Sequence, residues 1–244
     1  MSTLNHLNAF CKLLDGELPK AVLFDLDGTL VDSVPDLAAA IDLALMDAQL
    51  PIAGEENVRD WVGNGAQVLV FRAVSAAWKV FSAQNVDVTD DEKHAKEALV
   101  YERFLYHYGH LPESKQSSCL YDGVYQLLSL LSSRGIKLAL VTNKPAQFTP
   151  AILRQFAIDD FFDVVVCGDT LECKKPSPEP LLYAVNQYGF EVEQCVMVGD
   201  SKNDIQAAKA CKMKSISVAW GYNYSEDPKL LAADLHVSHF SALF

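Results

Sequence analysis

The sequence predicts an α/β fold built on a parallel sheet, with a block of helices inserted into it. Three observations lead to this class. Short apolar segments alternate with helical patterns from residue 116 onward, which is typical of a parallel sheet covered on both faces. One more apolar segment of this kind, Ala21 to Phe24, lies near the start of the chain. Residues 35–115, between these two regions, carry helical patterns and no strand pattern.

Local patterns place the first elements. Apolar residues recur at helical spacing near the N-terminus and predict a short amphipathic helix rather than a secretory signal: Leu4, Leu7, Phe10, Leu13 and Leu14. The predicted strand 21–24 stops at Asp25, and a turn follows at Gly28. Helical spacing then covers residues 35–50, and Pro51 ends that helix. Further helices are predicted at 58–62, 66–80 and 90–108, the first two separated by Gly63 and Gly65.

The rest of the chain alternates regularly between helix and strand. Helices are predicted at 123–133, 150–156, 178–188 and 203–211, and strands at 137–141, 164–167, 195–198 and 215–219. Gly135 follows the first of these helices as a helix-stop glycine. The predicted organisation is therefore an α/β core of residues 1–34 and 116–244, interrupted by a helical insert of residues 35–115.

Composition narrows the classes of partner and location. Half of the 244 residues are apolar or aromatic, and the formal net charge is −12. An acidic surface repels polyanions, so no nucleic acid is expected as a partner. No apolar stretch approaches the ~18 residues that span a bilayer, so no membrane is expected either. The six cysteines show no pairing pattern, which indicates reduced thiols and a cytoplasmic protein. The sequence implies no protein partner.

Polar side chains gather where the predicted strands end. In an open parallel sheet, ligands bind in the crevice at the carboxyl ends of the strands. The residues that follow each strand in turn are Asp25, Asp27 and Gly28, then Thr142 and Asn143, then Lys175 in a loop, and finally Asp200 and Asp204. We therefore expect separate segments of the chain to bring carboxylates, a hydroxyl and a lysine to one edge of the sheet.

These residue types suit phosphoryl transfer. Magnesium prefers oxygen ligands, which the carboxylates of Asp25 and Asp200 would supply. A carboxylate can also attack phosphorus and form an aspartyl-phosphate, which divides one difficult step into two. Asp27 lies two residues beyond Asp25, where an extended chain points its side chain to the same side. It would protonate the leaving oxygen and then activate water.

Each of these motifs also has a purely structural interpretation. Asp-x-Asp-Gly after a strand is often only a turn, and Thr142-Asn143 could cap a helix. A lysine beside a proline is usually a solvated loop residue, and Asp200 with Asp204 could simply favour a helix dipole. All four motifs occur in order, however, each after a predicted strand. This joint arrangement favours an active site.

The motifs resemble those of the haloacid dehalogenase superfamily of phosphatases. The matching segments are Asp25-Leu26-Asp27-Gly28-Thr29, Thr142, Lys175, and the run from Gly199 to Asp204, within a resemblance that covers about residues 21–220. The resemblance implies a Rossmann-like parallel sheet core, with the helical insert as a helical-bundle cap that selects substrates. It also implies a Mg²⁺ cofactor and, as partner, a small phosphorylated metabolite.

Carried over by position, the resemblance gives each residue a role. Asp25 would be the nucleophile and a metal ligand, and Asp27 the acid/base, with its backbone carbonyl also on the metal. Thr142 and Asn143 would hold the phosphate, and Lys175 both the phosphate and the nucleophile. Asp200 would be a metal ligand, with Asp204 as a partner behind it.

Further segments narrow the resemblance to the bacterial phosphoglycolate phosphatases. They are 25–33, 61–66, 141–145, 199–208 and 221–224, of which 61–66 lies in the cap. This implies hydrolysis of 2-phosphoglycolate to glycolate and phosphate. Other small phosphate esters, such as sugar phosphates or pyrophosphate, stay open as substrates. So does a non-catalytic protein that binds phosphate or metal, although binding alone would not require Asp27.

Other branches of the superfamily fit less well. Dehalogenases do not need a second acid such as Asp27, and phosphonoacetaldehyde hydrolases need a cap lysine, whereas no lysine occurs from 34 to 77. Sugar phosphomutases carry a histidine where this chain has Leu37.

Two features of the cap are candidates for recognition of a substrate carboxylate. Gly63-Asn64-Gly65 could present backbone N–H groups, or could be an ordinary turn between helices. Arg72 on the next helix could pair with the carboxylate, or could be a surface arginine.

Overall fold

The computed structural model of the protein describes residues 7–83, 89–223 and 228–244. The chain forms two compact units, one of Met1–Asp32 with Cys119–Phe244 and the other of Ser33–Ser118. We call the first the core unit and the second the helical unit. The described part of the chain contains no helix both long and apolar enough to span a membrane.

The secondary-structure elements are numbered here along the chain. The strands are β1 Ala21–Phe24, β2 Val31–Asp32, β3 Cys119–Leu120, β4 Lys137–Val141, β5 Val164–Val166, β6 Cys195–Gly199, β7 Lys214–Val218 and β8 Leu235–Val237. The helices are α1 Asn8–Leu13, α2 Val34–Asp47, α3 Glu55–Trp61, α4 Ala66–Ala83, α5 Asp90–Gly109, α6 Val124–Ser133, α7 Thr149–Gln155, α8 Glu179–Tyr188 and α9 Lys202–Ala210. Short 3₁₀ turns occur at Glu113–Lys115, Asp159–Phe161, Val192–Gln194, Pro228–Leu231 and Phe240–Leu243.

A six-stranded sheet organises the described residues of the core unit. Its strand order is β5-β4-β1-β6-β7-β8, and every neighbouring pair is parallel. The predicted α/β class with a parallel sheet is confirmed. The central strand β1 reads Ala-Val-Leu-Phe and is fully buried, as expected for a strand with helices on both faces. After β1, the chain adds β4 and β5 on one side of that strand and then β6, β7 and β8 on the other side. The direction of winding therefore reverses beside β1.

Two apolar layers cover the sheet. Alternate residues of β1 point to opposite faces, so Val22 and Phe24 join one layer while Ala21 and Leu23 join the other. The first layer is completed by apolar residues of α1, α6 and α7 and of the C-terminal segment, and the second by those of α8 and α9. The core unit therefore has three layers, helix on sheet on helix.

The helical unit comprises α2 to α5. In α2 the buried positions Leu37, Ile41 and Leu45 recur at helical spacing and form its apolar face. Helix α5 begins with a capping box, in which Thr89 and Glu92 satisfy each other's backbone N–H groups. The two ends of the unit are joined by Asp36, whose Oδ1 accepts hydrogen bonds from the backbone N–H groups of Ser117 and Ser118.

Most predicted elements are present with small shifts at their ends. Three short strands were not predicted, namely β2, β3 and β8, because two or three residues are too few to show a period. The predicted N-terminal helix is observed as α1, which begins at Asn8. Leu4, which we assigned to that helix, and Tyr224, part of the segment 221–224, lie outside the described residues.

Candidate active site

The carboxyl ends of three neighbouring strands carry the predicted core residues. Asp25 follows β1, Thr142 follows β4 and Asp200 follows β6, and β1 lies between the other two. The backbone N–H of Asp25 donates to the carbonyl of Val198 at 3.0 Å, so the parallel ladder continues one residue beyond the strand. The register of the sheet thus brings residues far apart in sequence to one edge, beside the point where the winding reverses.

An acidic cluster lies at this edge. Asp25, Asp200 and Asp204 are all buried, and one carboxylate oxygen from each lies within 4.8 Å of the others. Thr29 donates its hydroxyl to Asp200 Oδ1 at 3.0 Å, and the backbone N–H of Tyr222 donates to Asp200 Oδ2 at 2.6 Å. The Asp200 carboxylate is therefore held from two sides.

Lys175 is the cation within this cluster. Its ammonium lies 2.9 Å from Asp25 Oδ1, 2.6 Å from Asp204 Oδ1 and 2.6 Å from the carbonyl of Val141. The side chain is 1% exposed. Burial alone would lower the pKa of Lys175, but the charges of Asp204 and Asp25 outweigh it and raise the pKa above 10.5. Lys175 is thus a buried, charged link between two carboxylates.

Burial changes the acidity of the two carboxylates nearest the strand ends. It raises the pKa of Asp25 to about 7, against the opposing attraction of Lys175. Burial also raises the pKa of Asp200, and the charges of Asp204 and Asp25 add to that effect. Both carboxylates would be stabilised as anions by a further positive charge.

Asp204 is fixed behind the cluster by its own helix. Its Oδ2 accepts hydrogen bonds from the backbone N–H of Ser201 at 3.0 Å and from the Ser201 hydroxyl at 2.8 Å, as a capping box at the start of α9. Its Oδ1 accepts from Lys175. Both oxygens of Asp204 are therefore engaged within the protein, in keeping with the predicted place behind the ligands.

Two glycines make room for the Asp200 carboxylate. A Cβ at Gly28, where φ is +85°, would lie 2.3 Å from Asp200 Oδ2, and a Cβ at Gly221 would lie 2.1 Å from the Cβ of Asp200. No side chain larger than hydrogen fits at either position without displacing Asp200. Gly28 of the first motif thus serves both the turn and the site.

Asp27 pairs with a lysine to which our sequence analysis gave no role. The ammonium of Lys144 lies 3.0 and 3.2 Å from the two carboxylate oxygens of Asp27. The two side chains are 3% and 13% exposed. The charge of Asp27 contributes to the raised pKa of Asp25, which places the pair beside the acidic cluster. Lys144 belongs to the run 141–145 that carried the resemblance, and its place directly after Thr142 and Asn143 was the available signal.

The predicted phosphate-holding residues line the same edge. Thr142 is buried, and its hydroxyl oxygen accepts a hydrogen bond from the backbone N–H of Lys144 at 3.1 Å, which leaves the hydroxyl proton to donate. The side-chain amide of Asn143 donates to the carbonyl of Lys175 at 3.0 Å. Asn143 therefore ties the loop after β4 to the loop that carries Lys175.

The charges at this edge are suited to a divalent cation. The four carboxylates of Asp25, Asp27, Asp200 and Asp204 face the two ammonium groups of Lys144 and Lys175, which leaves two negative charges in excess when all are ionised. The donor atoms are oxygens, as a hard cation requires. The residues present therefore fit a metal ion bound through Asp25 and Asp200.

The predicted substrate-binding residues of the helical unit form one local group. Helix α3 ends at Trp61 and α4 begins at Ala66, with Gly63, Asn64 and Gly65 in the turn between them. Both glycines have positive φ, +114° and +89°. Arg72 donates from Nη1 to the carbonyl of Trp61 at 2.6 Å, so its guanidinium supports the end of α3 beside the turn.

Comparison with known proteins identifies the family to which the sequence is similar. The sequence profile of the haloacid dehalogenase-like hydrolases matches residues 19–212. A phosphoglycolate phosphatase of Pseudomonas putida is 43% identical over 235 residues, which are 94% of this chain and 82% of that protein. A phosphoglycolate phosphatase of Colwellia psychrerythraea is 46% identical over 212 residues, 85% of this chain and 88% of that protein.

A solved structure has the same architecture. The crystal structure of a predicted phosphoglycolate phosphatase from Haemophilus somnus superposes with a TM-score of 0.83 at 38% sequence identity. The superposition covers 91% of this chain and 95% of that chain. A likeness of this extent includes most of each of the two units of the chain.

Proposed function

The chain belongs to the haloacid dehalogenase-like hydrolases, and on that premise we propose that it hydrolyses 2-phosphoglycolate to glycolate and phosphate through an aspartyl-phosphate at Asp25. It is a phosphoric monoester hydrolase, as are the relatives named phosphoglycolate phosphatase. The observation that carries the mechanism is the meeting of Asp25, Asp200 and Lys175 at one buried sheet edge.

The first step transfers the phosphoryl group to the protein. A carboxylate oxygen of Asp25 attacks phosphorus, and the bond between phosphorus and the ester oxygen breaks. Asp27, in its protonated form, gives its proton to that oxygen, which leaves as the hydroxyl of glycolate. Thr142 and Lys175 hold the phosphoryl oxygens, because a hydroxyl and an ammonium can donate to them.

The second step returns the protein to its starting state. Asp27, now a carboxylate, takes a proton from a water molecule whose oxygen attacks the phosphorus of the aspartyl-phosphate. The bond from phosphorus to Asp25 breaks, inorganic phosphate leaves and the Asp25 carboxylate is restored. The same residue thus serves as acid and then as base, which requires its carboxyl group to stay in one place through both steps.

We propose Mg²⁺ as the cofactor, held by Asp25 and Asp200 together with the backbone carbonyl of Asp27. Support comes from the oxygen donors and the two excess negative charges of the site. When bound, the ion supplies neutralisation of the charge on the transferring phosphoryl group. Its charge would also oppose the effect of burial that raises the pKa values of both carboxylates.

We propose that the helical unit is the cap that selects the substrate. The core residues recognise a phosphate and a leaving oxygen, and none of them distinguishes glycolate from another small alcohol. The Gly63-Asn64-Gly65 turn and Arg72 are our candidates for recognising the substrate carboxylate, supported by the hydrogen bond that joins Arg72 to the end of α3.

A cytoplasmic location also belongs to this proposal, supported by the six cysteines, all of which are free thiols.

A phosphate-release assay tests the proposed function. The purified protein with Mg²⁺ should show its highest kcat/KM on 2-phosphoglycolate among a panel that includes a sugar phosphate, pyrophosphate and p-nitrophenyl phosphate. We expect a margin of roughly ten- to a hundredfold, the worth of one charge-assisted contact to the substrate carboxylate. EDTA should abolish turnover, and excess Mg²⁺ should restore it.

Each other outcome of this assay has a definite meaning. A higher kcat/KM on another ester would make that ester the substrate. Turnover that persists in EDTA would overturn the metal assignment. Binding of inorganic phosphate without release from any ester would identify a non-catalytic phosphate-binding protein.

Replacement of Arg72 tests the role of the helical unit. Arg72→Ala removes the hydrogen bond to Trp61 and with it the support of the turn. We expect kcat/KM on 2-phosphoglycolate to fall roughly ten- to a hundredfold. The reason is loss of the proposed hydrogen bond from Arg72 to the substrate carboxylate, because a hydrogen bond to a charged group contributes about 1.5–3 kcal/mol. With p-nitrophenyl phosphate, which has no carboxylate, kcat/KM should change less than about threefold.

A matched arginine of the same unit provides the control. Arg59 is exposed and pairs with Glu55 on the surface of α3 at 2.8 Å, so Arg59→Ala should leave both substrates unaffected. An equal loss on both substrates in Arg72→Ala would make Arg72 purely structural. No loss on either substrate would place recognition elsewhere.

A further inference from the structure

Lys144 is a buried cation whose charge is directed at the acid/base. Its ammonium contacts both oxygens of the Asp27 carboxylate, at 3.0 and 3.2 Å. A contact to both oxygens fixes the rotation of a carboxylate as well as its position. The side chain is 3% exposed, so solvent does little to screen this pair.

The backbone around Lys144 is itself held in place. Its N–H donates to the Thr142 hydroxyl at 3.1 Å, and its carbonyl accepts from the N–H of Gly168 at 2.9 Å. A Cβ at Gly168 would lie 2.2 Å from the carbonyl oxygen of Asn143, so this close approach requires glycine. The loop that carries Lys144 is therefore packed against the segment after β5, which gives the ammonium a rigid base.

We propose that Lys144 is a positioning residue that holds the Asp27 carboxyl group in the orientation needed for proton transfer, an inference that rests on the proposed function. Asp27 must reach the ester oxygen in the first step and a water molecule in the second. Asp27 lies in the segment that follows β1, and Lys144 lies in the loop after β4. The pair therefore ties the acid/base to a second strand end.

The nature of the leaving group separates this role from a general structural one. Glycolate leaves from phosphorus as an alkoxide and needs the proton of Asp27. A p-nitrophenolate leaves without a proton, because its charge is spread over the ring and nitro group. Attack of Asp25 on p-nitrophenyl phosphate therefore does not depend on Asp27, while hydrolysis of the resulting aspartyl-phosphate does.

The experiment compares Lys144→Met with the wild-type enzyme in the presence of Mg²⁺ by rapid mixing. With p-nitrophenyl phosphate the variant should release about one equivalent of nitrophenolate per active site at a rate within about threefold of wild type. Steady-state turnover should then be roughly 10- to 100-fold slower than that of the wild type, since misplacing a general acid/base costs about this much. With 2-phosphoglycolate the first turnover itself should slow by the same factor.

Companion variants make the result specific. Lys144→Arg keeps the positive charge and the contact to both carboxylate oxygens. Its turnover should be at least about tenfold faster than that of Lys144→Met. Lys137→Met is the matched control, because Lys137 begins the same strand β4 and also pairs with an aspartate, Asp163 at 2.9 Å, but at an exposed position. Its kinetics should match wild type. If Lys144→Met does not fold, Lys144→Gln takes its place in the same comparison.

Three results would overturn the proposal. A burst rate that falls as much as the turnover would mean that Lys144 supports the whole site. Turnover within about twofold of wild type in Lys144→Met would mean that Asp27 needs no such support, and equal activity of Lys144→Met and Lys144→Arg would show that the charge is irrelevant. Absence of phosphate release by the wild type would instead refute the proposed function.

Discussion

Asp25→Asn is expected to reduce turnover by at least about 1,000-fold on every ester, because the amide cannot attack phosphorus. The side chain keeps its shape, and the strand β1 that precedes it is fully buried, so the fold should persist. The measurement is phosphate release with Mg²⁺ on 2-phosphoglycolate and p-nitrophenyl phosphate. Activity within tenfold of wild type would contradict a covalent intermediate at Asp25.

The pH dependence of stability provides a control for Asp25→Asn. The Asp25 carboxyl has an ordinary pKa of 3.8, and burial raises it to about 7 in the folded protein. Folding therefore takes up a proton between these two values, and this group lowers the free energy of unfolding as the pH rises through that window. The variant lacks the titrating group. Without metal, its Tm should accordingly rise relative to that of the wild type between pH 5 and pH 8, while a constant difference would show that Asp25 titrates normally.

Lys175→Met is expected to give the largest loss of stability. The ammonium is buried between Asp25 and Asp204, and its removal leaves two carboxylates close together without their shared cation. Breaking such a buried pair from one side typically costs about 3–5 kcal/mol. The neighbouring carboxylates raise the pKa of Lys175 above 10.5. The lysine is therefore charged throughout the neutral range, and the full deficit in the free energy of unfolding should appear there. Turnover should fall at least about 100-fold.

A second substitution tests whether the lost charge is the cause. In Lys175→Met/Asp204→Asn the asparagine keeps an oxygen for Ser201 but carries no charge. The double variant should recover about 1–3 kcal/mol of the free energy of unfolding without recovering activity. Lys214→Met is the matched control, because Lys214 forms an exposed pair with Asp234 at 3.0 Å and should contribute at most about 1 kcal/mol. A Lys175→Met variant as stable as that control would contradict a buried pair.

The sequence predicted the core of the site because its residues directly follow strands. A buried apolar run such as 21–24 shows its type without tertiary information, and parallel strands align their carboxyl ends. Asp25, Thr142 and Asp200 could therefore be expected at one edge before any distance was known. Their catalytic roles came from the family resemblance and stay predictions for this chain.

Contacts between distant segments could not be predicted in this way. The backbone N–H of Tyr222 reaches Asp200 across 22 residues of chain, and Lys144 reaches Asp27 across 117. The position of Lys144 or of Tyr222 in the sequence does not indicate which aspartate it will contact. In the helical unit, the hydrogen bond from Arg72 to the carbonyl of Trp61 at the end of α3 could not be predicted from the sequence either, because it depends on how α3 and α4 pack.

The sequence by itself determined the order of the elements, the parallel class of the sheet and the residues at its carboxyl edge. These follow from hydrophobic periodicity and from the immediate neighbours of each strand, both of which are local properties. Only the tertiary structure decided how the pKa values of the carboxyl groups at that edge are shifted and which partner each charged group has. Burial raises the pKa of Asp25, and the charge of Lys175, which lies 150 residues further along the chain and 2.9 Å away in space, opposes that rise. The energy of a buried charge depends on every group packed around it, and the fold brings those groups together without regard to their separation along the sequence.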